Sequence, residues 1–445
     1  MHRLYTDKNV YEAYLERMDL IFREFDNIIV SFSGGKDSGL LLNMTLDYKR
    51  KYCPNKLIAL YHQDFEAQYS YTTEYVKETF ERLKDEVDAY WVCLPTATRT
   101  AVSNYEMFWY PWDDEKRDIW VRPMPEGDYV VNLANNPIST YRYKMHQEDL
   151  AKQFVRWYAS DHEGSTVCLL GMRSDESLNR YNAIINKRYG YKGECYITQQ
   201  SKNCWVASPI YDWNTRDVWA ANARFGYSYN KLYDLYFKAG LGVDKMRVAS
   251  PFNEYAVESL NLYRVIEPKT WARLVGRVRG ANFGAIYGRS KALGARKISL
   301  PDGYTWEEYT KFLLATLPAE IRNAYVRKFV TSIEFWHRTG GGLSEEVITE
   351  LREKGYRIEL NGVSNYTVKK FQKVVFVDKI PDHTDDIRST KDIPSWKRMC
   401  LCILKNDHLC RSMGFGLSRE QRLLVDEIRD KYNFLKPVAK GNEEN

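Results

Sequence analysis

At 445 residues the chain has room for two or three domains with a substantial core, and its 28% charged and 44% hydrophobic residues are those of an ordinary soluble globular protein. No run approaches the about 18 consecutive apolar residues of a membrane span, and the eight cysteines show no disulfide-framework spacing. With an N-terminus, Met1-His-Arg-Leu-Tyr-Thr-Asp-Lys8, that lacks an apolar signal core, these features read as cytoplasmic, with no membrane partner.

In chain order, Val10, Tyr11, Tyr14, Leu15, Met18, Ile21, Phe22 and Phe25 form a helical stripe. The apolar run Asn27-Ile-Ile-Val30 then leads into Ser31-Phe-Ser-Gly-Gly-Lys-Asp-Ser38 and the helix-compatible Gly39-Leu-Leu-Leu-Asn43. Strand, tight glycine turn and helix are the parts of a phosphate site, because successive N–H groups and the positive end of the helix converge on one point. Ser31, Ser33, Gly34, Gly35, Lys36 and Ser38 are the candidate nucleotide contacts. The loop is not a Walker A motif, since Asp37 follows Gly35-Lys36. Asp37 is expected near the helix start, either as its cap or close to a bound Mg²⁺.

Leu57-Ile-Ala-Leu-Tyr61 reads as a second strand, which would place Asp64 and Glu66 at its carboxyl end, one of them on a ribose or Mg²⁺ unless the pair merely caps a helix. His62 reads as structural. Ser70 to Val87 reads as helix and Ala89-Tyr-Trp-Val-Cys-Leu94 as a third strand. Residues 96–145, rich in Trp, Tyr and Pro, read as an insertion near the site mouth, where Arg99, Arg117 and Arg122 either meet a phosphate or serve as surface charge. A helix over Gln147 to His162 and a buried strand Thr166-Val-Cys-Leu-Leu170 follow. Gly171, Arg173, Glu176 and Arg180 then sit at a strand end, where a guanidinium grips phosphate in a forked geometry.

Three segments together carry a resemblance: Ser33-Gly-Gly-Lys-Asp-Ser38, Leu170-Gly-Met-Arg-Ser-Asp-Glu-Ser177 with Arg180, and Ser208-Pro-Ile-Tyr-Asp-Trp213 followed by Asp217-Val-Trp219. The chain resembles the PP-loop ATP pyrophosphatases, and within them the phosphoadenosine-phosphosulfate (PAPS) reductase-like branch. Beyond Leu232, the stretches Tyr229 to Gly240, Met246-Arg-Val-Ala-Ser-Pro-Phe252 and Arg277 to Ala285 resemble the extension of the immunoglobulin-binding regulator A (IbrA) subgroup. The implied fold is α/β, adenine-nucleotide alpha-hydrolase-like and Rossmann-like, a mostly parallel sheet with helices on both faces, plus a mainly helical C-terminal extension. The expected division is 1–240 for the nucleotide domain, 241–380 for a basic extension and 381–445 for a Cys/His segment.

The basicity is local. No acid lies between Pro268 and Pro301, where Lys269, Arg273, Arg277, Arg279, Arg289, Lys291, Arg296 and Lys297 cluster. Arg273, Arg277, Arg279, Arg289 and Lys291 are the candidate contacts to nucleic acid or another polyanion. Gly276, Gly280, Gly284 and Gly288 recur every four residues there, so either the helix is broken or something approaches closely, a partner helix or a polyanion. Residues 304–356 read as helices interrupted at Pro318 and Gly340-Gly-Gly342. Cys400, Cys402, His408 and Cys410 form either a zinc or iron–sulfur site or ordinary buried thiols, and Ser418 with Gln421 fits the capping box of a last helix.

The resemblance implies an enzyme that binds ATP and Mg²⁺, cleaves the α–β phosphate bond and adenylylates an acceptor, with Lys36, Asp37, Arg173 and Arg180 as its catalytic set. It also implies a ParB/sulfiredoxin-like companion and a role in nucleic-acid modification or mobile-element and phage conflict. Two alternatives stand beside it: a PAPS reductase or sulfurtransferase, and a nucleotide-sensing regulator without turnover. The reductases' C-terminal Glu-Cys-Gly-x-His segment has no counterpart here, which weighs against reduction.

Overall fold

The computed structural model describes residues 7–103, 106–176, 180, 181, 184, 190–253, 257–282, 300, 301, 303–364, 371–385, 387, 393–410 and 413. The chain forms two compact units, residues 1–286 and 287–445. Residues 241–286, read from sequence as the start of the extension, are therefore part of the first unit.

That unit is built on an eight-stranded sheet. Its strands are β1 (Asn27–Ser31), β2 (Ile58–Gln63), β3 (Asp88–Val92), β6 (Val130–Val131), β7 (Thr166–Leu170), β8 (Gly190–Tyr191), β9 (Glu194–Ser201) and β10 (Cys204–Ala207), ordered β6-β3-β2-β1-β7-β10-β9-β8. Every pairing from β6 to β10 is parallel, and the β10/β9 and β9/β8 pairings are antiparallel. Between β3 and β6 the ribbon of β4 (Thr98–Arg99) and β5 (Phe108–Trp109) stands apart from the sheet.

Strand periodicity sends alternate residues of β1 to opposite faces. Ile28 and Val30 pack with α1 (Val10–Glu24), α2 (Lys36–Tyr52) and α3 (Ser70–Leu83). Ile29 packs with Leu150, Phe154 and Tyr158 of α4 (Gln147–Asp161) on the other face. The sheet is thus covered on both faces, which is why its strands read as continuous apolar runs. Asn9 and Glu12 close a capping box at the start of α1.

β2 and β3 lie on one side of β1 and β7 on the other, so strand order reverses at β1 and opens a crevice at the carboxyl ends of β1 and β7. Ser31 pairs with Leu170 in the ladder, and the two loops that follow leave the sheet side by side.

A second core in the same unit joins Tyr69, Val102, Trp109 and Val121 to Tyr233 and Tyr236 of α6 (Leu232–Lys238), which follows α5 (Thr215–Phe225), and to Phe252, Tyr263, Leu274 and Val278. The basic stretch begins as α7 (Pro268–Arg277), and the helix ends where Val278 turns extended and Gly280 takes φ +97°. A Cβ at Gly280 would lie 2.7 Å from the Val102 carbonyl oxygen, so the close approach there is made by the protein's own insertion. Gly284, Gly288, Arg289 and Lys291 lie outside the described residues.

The second unit contains α8 (Trp306–Thr316), α9 (Ala319–Arg338), α10 (Glu345–Glu353) and α11 (Trp396–Leu404), with the expected breaks at Pro318 and at Gly340, whose φ is +74°. It also holds an antiparallel sheet, β11 (Gly341–Leu343), β12 (Ile358–Val363) and β13 (Gln372–Phe376), in the order β11-β13-β12. The sequence reading assigned no strand there. Exposed positions fill β12, so it lacks the clean alternation that marks a half-buried strand. Ser418 and Gln421 lie outside the described residues. No helix of the described residues is long and apolar enough to cross a membrane.

Candidate active site

The loop after β1 closes on itself. Ser38 Oγ accepts the Ser33 N–H at 3.1 Å, lies 2.9 Å from Ser33 Oγ and donates to the Gly35 carbonyl at 3.2 Å. Gly34 has φ +74°, and a Cβ there would sit 2.9 Å from Val76. Asn230 holds the turn from outside by donating to the Gly34 carbonyl at 3.0 Å and to Thr72 Oγ1 at 2.9 Å. Gly35 is the N-cap of α2 and offers no side chain, so the first N–H groups of the helix depend on other partners. One is Tyr233, whose hydroxyl accepts the Lys36 N–H at 3.0 Å.

Gly171 brings the second loop in. A Cβ at this position would lie 2.9 Å from Ser38 N and 3.0 Å from Asp37 C, distances only glycine tolerates. Arg173 then passes under the start of α2, 2% exposed. Its Nε is 2.6 Å from Asp37 Oδ1, one Nη is 2.7 Å from Asp175 Oδ1, and the other donates to Thr215 Oγ1 at 3.2 Å. Burial works against its charge, but Asp37, Asp175 and Glu176 together hold its pKa above the ordinary guanidinium value. Arg173 is thereby a strut between the two loops. Glu176 pairs with Arg180, and burial pushes its carboxyl above the usual range against the pull of that arginine.

A pocket of about 300 Å³ opens over these loops, lined by Ser33, Gly35, Lys36, Ser38, Glu176 and Arg180 among others. Ser31, Asp37 and Gly171 also face it. The candidate contacts Ser31, Ser33, Gly35, Lys36, Asp37, Ser38, Gly171, Glu176 and Arg180 are thus gathered in one place. Tyr233, Arg247 and Asn253 line the same pocket and were not picked out from sequence as site residues. The only signal for Tyr233 and Arg247 was their position inside the subgroup-like stretches 229–240 and 246–252, and Asn253 lies just past the second.

Other expected contacts are used elsewhere. Asp37 lies in the first turn of α2 as expected but is not its cap, which is Gly35, and its oxygens lie 2.9 Å from Lys36 Nζ and 2.6 Å from Arg173 Nε. Asp64 is buried, accepts hydrogen bonds from Trp91 Nε1 and the Glu66 N–H, and pairs with Arg122. Burial opposes its charge, yet Arg122 and His62 leave its carboxyl below the usual range. Glu66 is buried with Arg277. Of the insertion's arginines, Arg99 pairs with Glu148, Arg117 with Asp114 and Arg122 with Asp64, and no residue of 96–145 lines the pocket. His62 is structural, with Nδ1 2.7 Å from the Phe32 carbonyl oxygen.

The described residues contain no group of three His, Cys, Asp or Glu side chains arranged to hold a metal ion. Cys400, Cys402, His408 and Cys410 do not form such a group. The thiols of Cys402 and Cys410 contact each other, Cys400 turns to Thr310, and the His408 ring stands 5.5 Å from that of Tyr325. Of the polyanion candidates, Arg273 and Arg279 are exposed while Arg277 is buried. A contiguous stripe is therefore not formed by these three.

Residues 27–242 match the phosphoadenosine phosphosulfate reductase domain, and residues 240–423 match a domain of unknown function (DUF3440). The chain is 30% identical over 421 residues to the uncharacterized protein YbdN of Escherichia coli K12, covering 93% of this chain and 92% of that one. Among solved structures it is similar to Candida glabrata FMN adenylyltransferase in complex with FMN and the ATP analogue AMPCPP, at 12% identity and TM-score 0.30, over 52% of this chain and 64% of that one. The phosphoadenylyl-sulfate reductase from Candida auris, in a phosphate complex, is matched at 14% identity and TM-score 0.28, over 53% of this chain and 94% of that one.

Proposed function

We propose that this chain, which belongs to the family of YbdN and carries a phosphoadenosine phosphosulfate reductase domain, binds ATP in the pocket over its glycine loop and transfers adenylate to an acceptor. The observation that carries this reading is the convergence of the Ser33–Ser38 loop, the start of α2, Lys36 and Arg180 on one pocket.

In this reading the loop N–H groups and the α2 terminus hold the phosphates, and Lys36 and Arg180 offset their charge. A nucleophilic oxygen of the acceptor attacks the α-phosphorus, the bond to the α–β bridging oxygen breaks, and pyrophosphate leaves with that electron pair. No protein nucleophile is required, because the step is one of positioning and charge stabilisation. A Mg²⁺ carried by the phosphates belongs to the nucleotide.

Reduction of PAPS is the less favoured alternative. It needs a cysteine nucleophile, and among the described residues no cysteine lines the pocket. The nearest along the chain, Cys168, is buried with its thiol pushed up to about 12 by desolvation. The IbrA-type assignment, the ParB/sulfiredoxin-like companion and a nucleic-acid acceptor extend the reading and rest on resemblance.

The test is a competition titration of ATP against PAPS with Mg²⁺, on the wild type and on Lys36→Ala, followed by assay for AMP and pyrophosphate. Preference for ATP, weakened by the substitution, is the expected outcome. Tight PAPS binding with ATP ignored overturns the choice, and ATP binding without turnover under any acceptor points to the nucleotide-sensing alternative.

A further inference from the structure

The match to the reductase domain ends at residue 242, yet one wall of the pocket lies beyond it: Arg247, Val248, Ala249 and Asn253. This wall is anchored. Met246 and Phe252 are buried, the Phe252 ring stands edge-on to Trp109 at 4.9 Å, and its carbonyl accepts the Ala101 N–H at 2.7 Å. It also touches the phosphate loop, since a Cβ built on Gly35 would lie 3.9 Å from Val248 Cβ.

Arg247 is the one cation that this wall contributes among the described residues. Its Nη2 donates to the Glu176 carbonyl at 3.0 Å, a bond that fixes the guanidinium beside the Glu176–Arg180 pair. With Lys36 and Glu176 it lines both the nucleotide pocket and an adjoining polar pocket of about 700 Å³ that reaches Arg173, Asn214 and Arg216. It therefore stands at the junction of the two spaces.

Resting on the nucleotide reading above, we infer that Arg247 is a ligand-binding residue that grips the phosphate chain, so that the domain of unknown function supplies part of the nucleotide site. A guanidinium carries five N–H donors in a planar fork, enough to keep the carbonyl bond and still meet phosphate oxygens. The ligand class this selects is a nucleotide with a polyphosphate chain, in preference to a nucleoside.

Calorimetric titration of ATP with Mg²⁺, pyrophosphate and adenosine into the full-length wild type, Arg247→Ala, Arg247→Gln and Lys36→Ala tests this. Arg247→Ala and Arg247→Gln are expected to bind ATP and pyrophosphate about 10- to 100-fold more weakly, as for loss of a charged hydrogen bond, with adenosine unchanged. Gln keeps a donor for the Glu176 carbonyl but no charge. Wild-type affinity in Arg247→Gln shows a purely structural arginine and overturns the inference. Weakening by Lys36→Ala with both Arg247 variants at wild-type affinity overturns the inference and leaves the nucleotide reading standing. A wild type that binds neither ATP nor pyrophosphate overturns both.

Discussion

Arg277 donates to both carboxylate oxygens of Glu66, at 2.8 and 3.0 Å, with the two side chains 1% and 0% exposed. The same carboxylate accepts the Trp112 N–H at 2.8 Å and the Val121 N–H at 2.9 Å. Glu66 itself sits at φ +63°, a backbone strain that these bonds hold in place. One carboxylate thus ties the end of β2, the insertion and the last turn of α7 together.

Arg277→Ala is accordingly expected to cost about 3–5 kcal/mol, because it leaves a buried carboxylate without its charge partner. Denaturant unfolding measures this. A loss below about 1 kcal/mol contradicts the buried pair. The variant is a poor probe of nucleic-acid binding, for which the exposed Arg273 and Arg279 are the residues to change.

The Asp64–Arg122 pair predicts a pH signature. The Asp64 carboxyl titrates below its ordinary value in the folded chain, so it stabilises the fold above about pH 4 and that contribution fades as pH falls through the folded value. In Arg122→Ala the carboxyl keeps only the pull of His62 and Trp91 against burial, so it titrates higher than in the wild type. The variant should be less stable than wild type by about 3 kcal/mol at pH 7, with the gap narrowing as pH falls through the variant's carboxyl value and on through the lower wild-type one. Urea unfolding at pH 7 and at pH 3.5 checks the direction. A gap that is constant or widens in acid refutes it.

Gly171→Ala should harm the site more than the fold. The added methyl meets backbone atoms of α2 at 2.9–3.0 Å, and the start of that helix must shift by a few tenths of an ångström. We expect a stability loss of about 1–3 kcal/mol and an ATP affinity at least about tenfold lower. Thermal unfolding and ATP titration on the same preparation separate the two effects.

Truncation tests where the first unit ends. A chain stopped after residue 242, the end of the reductase-domain match, loses Phe252, Tyr263, Leu274 and Val278 from the second core. Each such side chain contributes about 1.5–3 kcal/mol by burial, against a total stability of about 5–15 kcal/mol, so the short chain should aggregate or unfold. A chain stopped after residue 286 keeps that core and should fold. Circular dichroism melts distinguish the outcomes.

The strands β1, β2, β3 and β7, the helices on either face and the glycine loop between β1 and α2 were legible in the residues alone. Those signals are local: apolar runs of strand length, helical stripes and glycines where the chain turns. Placing the Ser33–Ser38 loop beside Gly171 and Arg173 needed only the family resemblance. Tertiary structure alone decided which charges remain for a ligand. Asp64, Glu66 and Arg277 look in the sequence like the polar residues of a site or a patch, and folding spends them on one another and on Arg122 across separations of 58 and 211 residues. Tyr233 and Arg247 carry no local mark of a site and reach the pocket because the second core folds their segments back onto the Ser33–Ser38 loop. Charge and side-chain type are properties of a position, whereas burial and pairing are properties of the packing around it, and the latter fixes whether a carboxylate or guanidinium meets solvent, substrate or another part of the chain.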